Sequence, residues 1–227
     1  AVVARLNTDG ELYLQTTVQS LDENRVTLDN GTELQARVVI DARGPLETDP
    51  RNVDTGYQKF FGVEYRTKSP HGCNSPLLMD ATVPQTDGFR FFYVLPLSED
   101  RVLVEETFFA DGPELDVEKS RHQIATYAED AGLDVAEALR EERGVLPMPW
   151  RGTFAAPSKS PLRAGYRGGF FHPATGYSIP VAARLAELIA TRSPESLFTD
   201  GALHAFWQDL QRQSAFCHRL NAMLFQW

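Results

Sequence analysis

The run Arg101-Val-Leu-Val-Glu-Glu-Thr-Phe-Phe109 places two adjacent carboxylates inside an otherwise apolar segment. Its β-branched and aromatic residues predict a β-strand that is buried on at least one face. Side chains alternate along a strand, so Glu105 shares one face with Leu103 and Thr107, and Glu106 lies on the opposite face. Only one of the two glutamates is therefore expected to face any single pocket.

Such a carboxyl group has either a chemical or a structural role. Burial in an apolar pocket raises the pKa of a carboxyl group, because it disfavours the charged form, and the group can then donate a proton near neutral pH. In the structural alternative, one glutamate lies at the strand edge in water and the other pairs with an arginine, which also perturbs carboxylates. Taken alone, the run favours the structural alternative.

The composition excludes several classes of function. The chain has 227 residues and is 42% hydrophobic, enough to bury a core as one large domain or two small ones. A net charge of −9 and a pI near 5.1 argue against nucleic acid or anionic lipid as a partner held by charge alone. The two cysteines lie far apart and the five histidines lack metal-ligand spacing, so we expect no disulfide framework and no metal site.

The ends of the chain read as the interior of a longer protein. The strand-like pattern begins at once at Ala1, and apolar residues recur at helical spacing from Leu203 nearly to Trp227 without a C-cap. No apolar run approaches the roughly 18 residues that are needed to span a bilayer.

The first part of the chain predicts a β-meander. Residues 11–40 alternate in polarity around a strong hairpin turn, Asp29-Asn-Gly31, and end in the apolar run Val38-Val-Ile40. Asp41-Ala-Arg-Gly44 follows this run directly. In α/β sheets ligands bind at such strand ends, and a glycine there lets the backbone approach a nucleotide closely, although a structural turn would look the same.

The middle of the chain predicts an antiparallel sheet. Three strand-like runs, residues 57–66, 77–81 and 88–96, precede the strand of Glu105. Their apolar face is either ordinary core or the wall of a pocket for a long apolar molecule, with Glu105 or Glu106 as the polar group that points inward.

Helices are predicted after this sheet. Asp116 is expected to cap a helix that ends at Gly132. A second short helix is expected from Asp134 to Arg143, with Arg140-Glu-Glu-Arg143 as a solvated face. Residues 146–161 contain four prolines and predict an irregular connection.

A loop rich in glycine and hydroxyl groups, residues 164–180, precedes an amphipathic helix with Pro180 at its first position. Backbone N–H groups at such a helix start favour an anion, such as a pyrophosphate, or an electron-rich flavin oxygen. A plain N-cap by Ser178 is the alternative.

In this order, the features resemble FAD-binding proteins of the hydroxylase and geranylgeranyl-reductase type, and more closely the bacterial lycopene β-cyclases. The segments that carry the resemblance extend over most of residues 36–190: Val38-Val-Ile-Asp-Ala-Arg-Gly44, Gln58-Lys-Phe-Phe-Gly62, Pro76-Leu-Leu-Met-Asp-Ala-Thr-Val83, Gly88-Phe-Arg-Phe-Phe-Tyr-Val-Leu-Pro-Leu97, Leu103-Val-Glu-Glu-Thr107 and Phe171-His-Pro-Ala-Thr-Gly-Tyr-Ser-Ile-Pro180.

The resemblance implies a mixed α/β (α+β) architecture, namely an FAD-binding fold with an antiparallel substrate-side sheet and flanking helices. It also implies a division of the chain. Residues 1–50 would belong to the FAD-binding domain, residues 51–160 would form the substrate-side sheet with its helices, and residues 161–227 would return to the FAD-binding domain and end in helices.

The implied activity is the acid-catalysed, non-redox cyclisation of linear carotenoid ends to β-rings, as from lycopene to β-carotene, which makes the enzyme an isomerase or intramolecular lyase. The family uses reduced FAD, with NAD(P)H as the indirect reductant. By the same match Glu105 is the catalytic group, as acid or as support for the flavin, and Glu106 is the second candidate. The residues that the match places beside FAD are Val18, Asp41, Arg43, Gly44, Pro173, Thr175, Gly176, Tyr177 and Ser178.

A carotenoid substrate implies peripheral association with the cytoplasmic side of a membrane. The alternatives are a flavin-dependent monooxygenase or prenyl-chain reductase of the same fold, and a non-catalytic carotenoid- or lipid-binding module. The family's N-terminal glycine-rich dinucleotide fingerprint does not occur in these residues, so FAD binding and activity are expected of the longer protein. The oligomeric state, and whether one or both substrate ends are cyclised, stay open.

Overall fold

A computed structural model of the protein describes residues 12–45, 54–86, 88–152, 154–159 and 161–225. Its strands and helices, in chain order, are β1 (Val18–Leu21), β2 (Arg25–Leu28), β3 (Glu33–Gln35), β4 (Ile40–Asp41), β5 (Thr55–Thr67), β6 (Leu77–Asp80), β7 (Arg90–Pro96), β8 (Arg101–Ala110), α1 (Val117–Asp130), β9 (Val135–Pro149), β10 (Leu162–Arg163), a short 3₁₀ helix (Gly165–Gly168), α2 (Ile179–Ala190), α3 (Ser196–Thr199) and α4 (Ala202–Phe225).

The chain divides into two compact units. The first contains the described residues before position 46 together with residues 154–171 and 178–211. The second contains the described residues between positions 47 and 153, the loop 172–177, and residues 212–225. Residues 172–177 and 212–225 thus group with the five-stranded sheet, and the division into FAD-binding and substrate-side parts that the resemblance implies stays a prediction.

The first unit begins with the predicted meander. β1, β2 and β3 form a three-stranded antiparallel sheet. The predicted hairpin turn is confirmed, since Gly31 adopts a φ of +81° and its N–H donates to the Leu28 carbonyl at 3.0 Å. The expected buried strand over Val38–Ile40 is only partly confirmed. The strand covers Ile40–Asp41, and Ile40 is exposed between the buried Val39 and Asp41, because successive side chains of a strand point to opposite faces.

The core of the first unit lies among its helices. Leu162 and Phe170 pack with Val181 and Leu185 of α2 and with Leu203 near the start of α4. The predicted helix after the glycine-rich loop is confirmed as α2, which begins one residue earlier than expected, so Pro180 is its second residue.

The second unit contains a five-stranded antiparallel sheet with the strand order β6-β7-β8-β5-β9. The predicted antiparallel sheet is thereby confirmed. β8 lies between β7 and β5, so neither glutamate of the opening run is at a sheet edge.

One face of this sheet carries the hydrophobic core. Phe61 and Val63 of β5, together with Val102 and Val104 of β8, pack beneath α1, which contributes Ile124 and Ala128 to the core. The helix predicted from Asp116 to Gly132 is confirmed, and its apolar stripe explains why it covers this face.

The helix predicted from Asp134 to Arg143 is wrong. This segment belongs to β9, which pairs with β5 along nearly its whole length. Its alanines, glutamates and arginines are good helix formers, but the pairing with a long, buried strand overrides that weak local preference. The charged run is consequently split, with Arg140 and Glu142 on one face of the sheet and Glu141 and Arg143 on the other.

Replacing Asp116 tests the origin of α1. The Asp116 carboxylate accepts a hydrogen bond from the Lys119 N–H at 3.0 Å, which satisfies one of the free donors at the helix start. We expect Asp116→Ala to lower the free energy of unfolding by about 1 kcal/mol, measured by denaturant titration. Asp116→Asn keeps a hydrogen-bond acceptor and should lower the free energy of unfolding by only about 0.3 kcal/mol. Equal losses in both variants would contradict the capping role.

Candidate functional site

Glu105 lies at the centre of the sheet, on the face opposite α1. Its side chain is half-buried, and the Thr107 hydroxyl donates to its Oε1 at 3.1 Å. Burial raises the pKa of Glu105, the Thr107 hydroxyl lowers it in part, and the Glu142 carboxylate raises it further. A carboxyl group in this setting retains its proton to higher pH than an ordinary glutamate.

The backbone register aligns a row of residues across the sheet with Glu105. Tyr93 of β7 and Gly62 of β5 pair directly with Glu105 on its two sides, and Glu142 of β9 pairs with Gly62. Directly paired residues share a face, so all four belong to what we term the Glu105 face. This face also contains, at the neighbouring pairs, Phe60, Glu64, Phe91, Leu95, Leu103, Thr107, Arg140 and Gly144.

Aromatic rings line the Glu105 face on the β7 side. The rings of Phe91 and Tyr93 meet edge to face, with centroids 5.2 Å apart, and Phe89 lies 5.6 Å from Phe91. Phe109 adds a further ring. The ring of Phe225 in α4 packs against it, with the two centroids 6.0 Å apart. The result is an apolar, π-rich wall directly beside a carboxyl group.

The other charged groups of this face are ion-paired. Glu64 is buried and accepts hydrogen bonds from Arg101 and Arg140, and Arg101 holds its pKa below the usual range. Arg140 also pairs with Glu142 at 2.6 Å. Glu105 has no cationic partner within the described part of the chain, so it is the carboxyl group of this face that is best suited to hold and release a proton.

Glu106 has a structural environment. It is 1% exposed on the α1 side, and its Oε1 accepts a hydrogen bond from Arg90 Nε at 2.5 Å. The Gln123 amide lies 2.6 Å from the same oxygen. Burial raises the pKa of Glu106 and the Arg90 guanidinium partly offsets that increase. The structural alternative therefore describes Glu106, and the two glutamates occupy different sites.

A cavity of about 160 Å³ adjoins the Glu106 side of the sheet. Lys59, Arg90 and Lys119 line it together with Glu106 and Asp116. Most of the residues that line it are polar or charged, and a hydrocarbon ligand there would bury their charged groups. Glu105 lies on the opposite face of the sheet and does not line this cavity.

The predicted flavin motif at Asp41 forms a compact ionic cluster in the first unit. Asp41 is buried, and its carboxylate accepts hydrogen bonds from Arg43 Nε at 2.8 Å and from a terminal nitrogen of Arg43 at 3.0 Å. Arg167, which the sequence analysis missed, places its Nε 3.4 Å from Asp41. Burial raises the pKa of Asp41, but the two arginines hold it net below its usual value.

The cluster fits an anionic cofactor such as FAD. The Nε of Arg167 is buried and has no hydrogen-bond partner among the described residues, and the side chain of Arg43 is partly exposed. Gly44 adopts a φ of +86°, and the space that a Cβ would occupy there is open. Two guanidinium groups and an accessible backbone are suited to a phosphate. Arg167 stands in a glycine-rich stretch, which is the signal that identifies it in the sequence.

The predicted flavin loop is held by its own hydrogen bonds. Thr175 contacts His172 Nδ1 through its hydroxyl at 2.9 Å, and the Gly176 N–H donates to the His172 carbonyl at 2.9 Å. The Pro173 carbonyl accepts a hydrogen bond from the buried Asn221 at 2.9 Å. Tyr177 is 68% exposed. These hydrogen bonds fix the loop conformation in which the Tyr177 side chain is exposed.

The remaining predicted cofactor residues lie in the first unit. Ser178 occupies the N-cap position of α2, but its side chain makes no capping hydrogen bond, so the plain N-cap alternative is not supported. Val18 is the first residue of β1 and pairs with Leu28.

Among the residues that the structure describes, no cluster of three or more histidine, cysteine, aspartate or glutamate side chains is arranged to hold a metal ion. Within the same residues, no helix combines the length and the apolar content that are needed to cross a bilayer.

The family model for lycopene cyclase protein matches residues 1–226. Lycopene β-cyclases from Paracoccus sp. and Pantoea ananas are 39% and 40% identical to this chain over 98% and 94% of its length. A lycopene β-cyclase from Pseudescherichia vulneris is 41% identical over 94% of the chain. The chain spans between 56% and 58% of the length of these curated relatives.

Solved structures confirm the predicted fold class. The flavin-dependent halogenase BrvH from Brevundimonas sp. BAL3 superposes with a TM-score of 0.58 at 16% identity, covering 98% of this chain and 45% of BrvH. A geranylgeranyl bacteriochlorophyll reductase-like protein from Thermoplasma acidophilum superposes with a TM-score of 0.55 at 12% identity, covering 98% of this chain and 62% of that protein. The fold is the mixed α/β FAD-binding fold.

The separate environments of the two glutamates predict different effects of substitution on stability. Glu106→Gln should lower the free energy of unfolding by about 3 kcal/mol, because it leaves the Arg90 guanidinium buried without its counter-ion. Glu105→Gln should leave stability unchanged or raise it at neutral pH. The raised pKa of Glu105 means that its favourable contribution to folding is present at low pH and is lost as the pH rises through that pKa.

Thermal unfolding of the whole protein at neutral pH checks this prediction. A lower melting temperature for Glu105→Gln than for Glu106→Gln would contradict the assignment of Glu106 to the structural site.

Proposed function

Because this chain belongs to the lycopene cyclase protein family, we propose that the whole protein is a lycopene β-cyclase, an isomerase that converts linear carotenoid ends to β-rings. The observation that carries the proposal is the position of Glu105, a carboxyl group without a cationic partner among the described residues, beside the aromatic wall of its face. Lycopene has no polar group, so such an enzyme holds it by shape and apolar area.

The reaction needs an acid strong enough to protonate carbon. In the proposed mechanism, the protonated Glu105 carboxyl donates its proton to the terminal double bond, forming a C–H bond and leaving a tertiary cation. The neighbouring internal double bond attacks this cation and closes the ring. The new ring cation then loses a proton from an adjacent carbon, which restores a double bond. One proton enters and one leaves, so the product is an isomer of the substrate.

The residues around Glu105 support the cationic steps. The faces of aromatic rings attract cations, and Tyr93 is paired directly with Glu105. Phe91 and Phe109 extend the apolar surface beside it and would exclude water, which otherwise captures a carbocation. The Thr107 hydroxyl would orient the Glu105 carboxyl group toward the substrate.

The cofactor in this proposal is reduced FAD, with NAD(P)H as the indirect reductant. Arg43, Arg167 and the backbone at Gly44 would hold its anionic part, and Asp41 would orient the two guanidinium groups. The proposal keeps the loop residues Pro173, Thr175, Gly176, Tyr177 and Ser178, and the backbone of Val18, as further contacts. When bound, the reduced flavin supplies negative charge near the passing cation.

The substrate is a linear carotenoid, so we also propose peripheral association with the cytoplasmic side of a membrane. Exposed apolar side chains support a lipid-facing surface at the edge strand β6, where Leu77, Leu78 and Met79 are each about half exposed or more.

The Glu105→Gln variant of the whole protein tests the proposed function. A glutamine cannot donate the proton, so we expect cyclic carotenes to fall by at least about 100-fold in a lycopene-accumulating host, measured by pigment chromatography. The flavin content of the purified protein should not change. Glu99→Gln, at an exposed site in the turn before β8, is the matched control and should retain activity.

Two results would contradict the proposal. Equal amounts of β-rings in Glu105→Gln and wild type would remove Glu105 as the acid. Persistence of lycopene with the wild-type protein, together with flavin reduction by NAD(P)H, would favour a monooxygenase or prenyl-chain reductase of the same fold.

A further inference from the structure

Resting on the proposed function, we propose that Glu142 is a positioning residue for the cyclisation. Gly62, which has no side chain, lies between Glu142 and Glu105. The ionised Glu142 carboxylate acts across this gap and keeps Glu105 in its protonated, proton-donating form.

The gap at Gly62 is the geometric basis of this inference. Gly62 stands between Glu105 on β8 and Glu142 on β9 in the same cross-strand row. A Cβ atom at Gly62 would lie 3.1 Å from Glu142 Cγ and 3.5 Å from Glu105 Cβ. Any larger side chain would fill this space and separate the two carboxyl groups. Glycine instead leaves no side chain between them, so that the Glu142 carboxylate acts on Glu105 across the width of β5.

The two carboxyl groups differ in their partners. An oxygen of Glu142 lies 2.6 Å from a nitrogen of Arg140, whereas Glu105 contacts only the Thr107 hydroxyl among the described residues. An ionised carboxylate beside a second carboxyl group disfavours ionisation of the second, so the pair shares its charge unequally. The pKa of Glu105 is raised by burial and, after the opposing effect of Thr107, by Glu142.

The other titratable groups of this face do not supply the same effect. Glu64 accepts hydrogen bonds from two arginines, Arg101 and Arg140, and does not contribute to the raised pKa of Glu105, whereas the ion pair that the structure describes for Glu142 is the one with Arg140. Burial raises the pKa of Tyr93, as do Tyr177 and Glu105, so Tyr93 stays neutral.

The loop 172–177 and residues 212–225 of α4 also carry titratable groups, namely His172, Tyr177, Arg212, Cys217, His218 and Arg219. His172 Nε2 lies 3.6 Å from the Sγ of Cys217. Burial raises the pKa of Cys217 and lowers the pKa of His218. The thiol and the His218 imidazole are therefore neutral, and among the described residues Glu142 is the charged group whose field raises the pKa of Glu105.

An infrared titration of the whole protein tests the inference directly. The C=O stretch of the protonated Glu105 carboxyl is identified by its loss in Glu105→Gln and followed against pH in wild type, Glu142→Gln and Glu142→Asp. We expect Glu105 to lose its proton at lower pH in Glu142→Gln and close to the wild-type pH in Glu142→Asp, which keeps the charge. Glu141→Gln is the control, because Glu141 pairs with Arg121 on the opposite face.

The pH dependence of lycopene cyclisation supplies the second measurement. Its alkaline limb should move to lower pH in Glu142→Gln, with activity on that side reduced roughly threefold, as expected for the loss of one screened charge nearby. The KM for lycopene and the activity at low pH should match wild type. This pattern separates a positioning residue from one that removes the product proton, whose loss would lower activity at every pH.

Two outcomes overturn the inference. One is a Glu105 titration that is unchanged in Glu142→Gln, and the other is an equal shift in Glu141→Gln. Failure of the proposed function is distinguishable from both. A wild-type protein that forms no β-rings at any pH, yet shows the expected infrared shift in Glu142→Gln, would retain the charge coupling and lose the cyclase assignment.

Discussion

Backbone pairing on both sides of β8 fixes the directions of Glu105 and Glu106, and the chemistry proposed here depends on that constraint. A strand with partners on both sides cannot rotate one side chain across the sheet without breaking its hydrogen bonds. One carboxyl group therefore joins a buried ion pair under α1, and the other faces an aromatic wall. The sheet therefore places two consecutive carboxyl groups in separate environments, one structural and the other suited to the proposed acid chemistry.

Much of this arrangement was predictable from the sequence, because it depends on local periodicity. Alternation along residues 101–109 predicted that the two glutamates face opposite sides of the sheet. Local sequence also predicted the helix N-cap at Asp116 and the hairpin turn at Asp29-Asn-Gly31. The mixed α/β FAD-binding fold followed from the resemblance of ordered motifs. The roles of the individual flavin contacts stay predictions, although the Asp41 cluster has the charge and the open backbone that a phosphate needs.

The parts that sequence reasoning missed depend on pairing between distant strands. Residues 135–143 have helix-forming composition, and only their register against β5 makes them a strand and brings Glu142 into the row of Glu105. The sequence alone predicted a helix there, with Arg140-Glu-Glu-Arg143 on its solvent-exposed face. Tyr93 and Gly62 stood in segments that were correctly assigned as strands, but their alignment with Glu105 requires the register, which periodicity alone does not supply.

Cyclisation in D₂O shows whether a protonated carboxyl group at position 105 delivers a proton to carbon. The Glu105 proton exchanges with solvent, so we expect one deuterium in each ring that the wild-type protein forms, read by mass spectrometry, and no rings from Glu105→Gln. Rings without deuterium, or labelled rings formed at the wild-type rate by Glu105→Gln, would contradict this proton transfer.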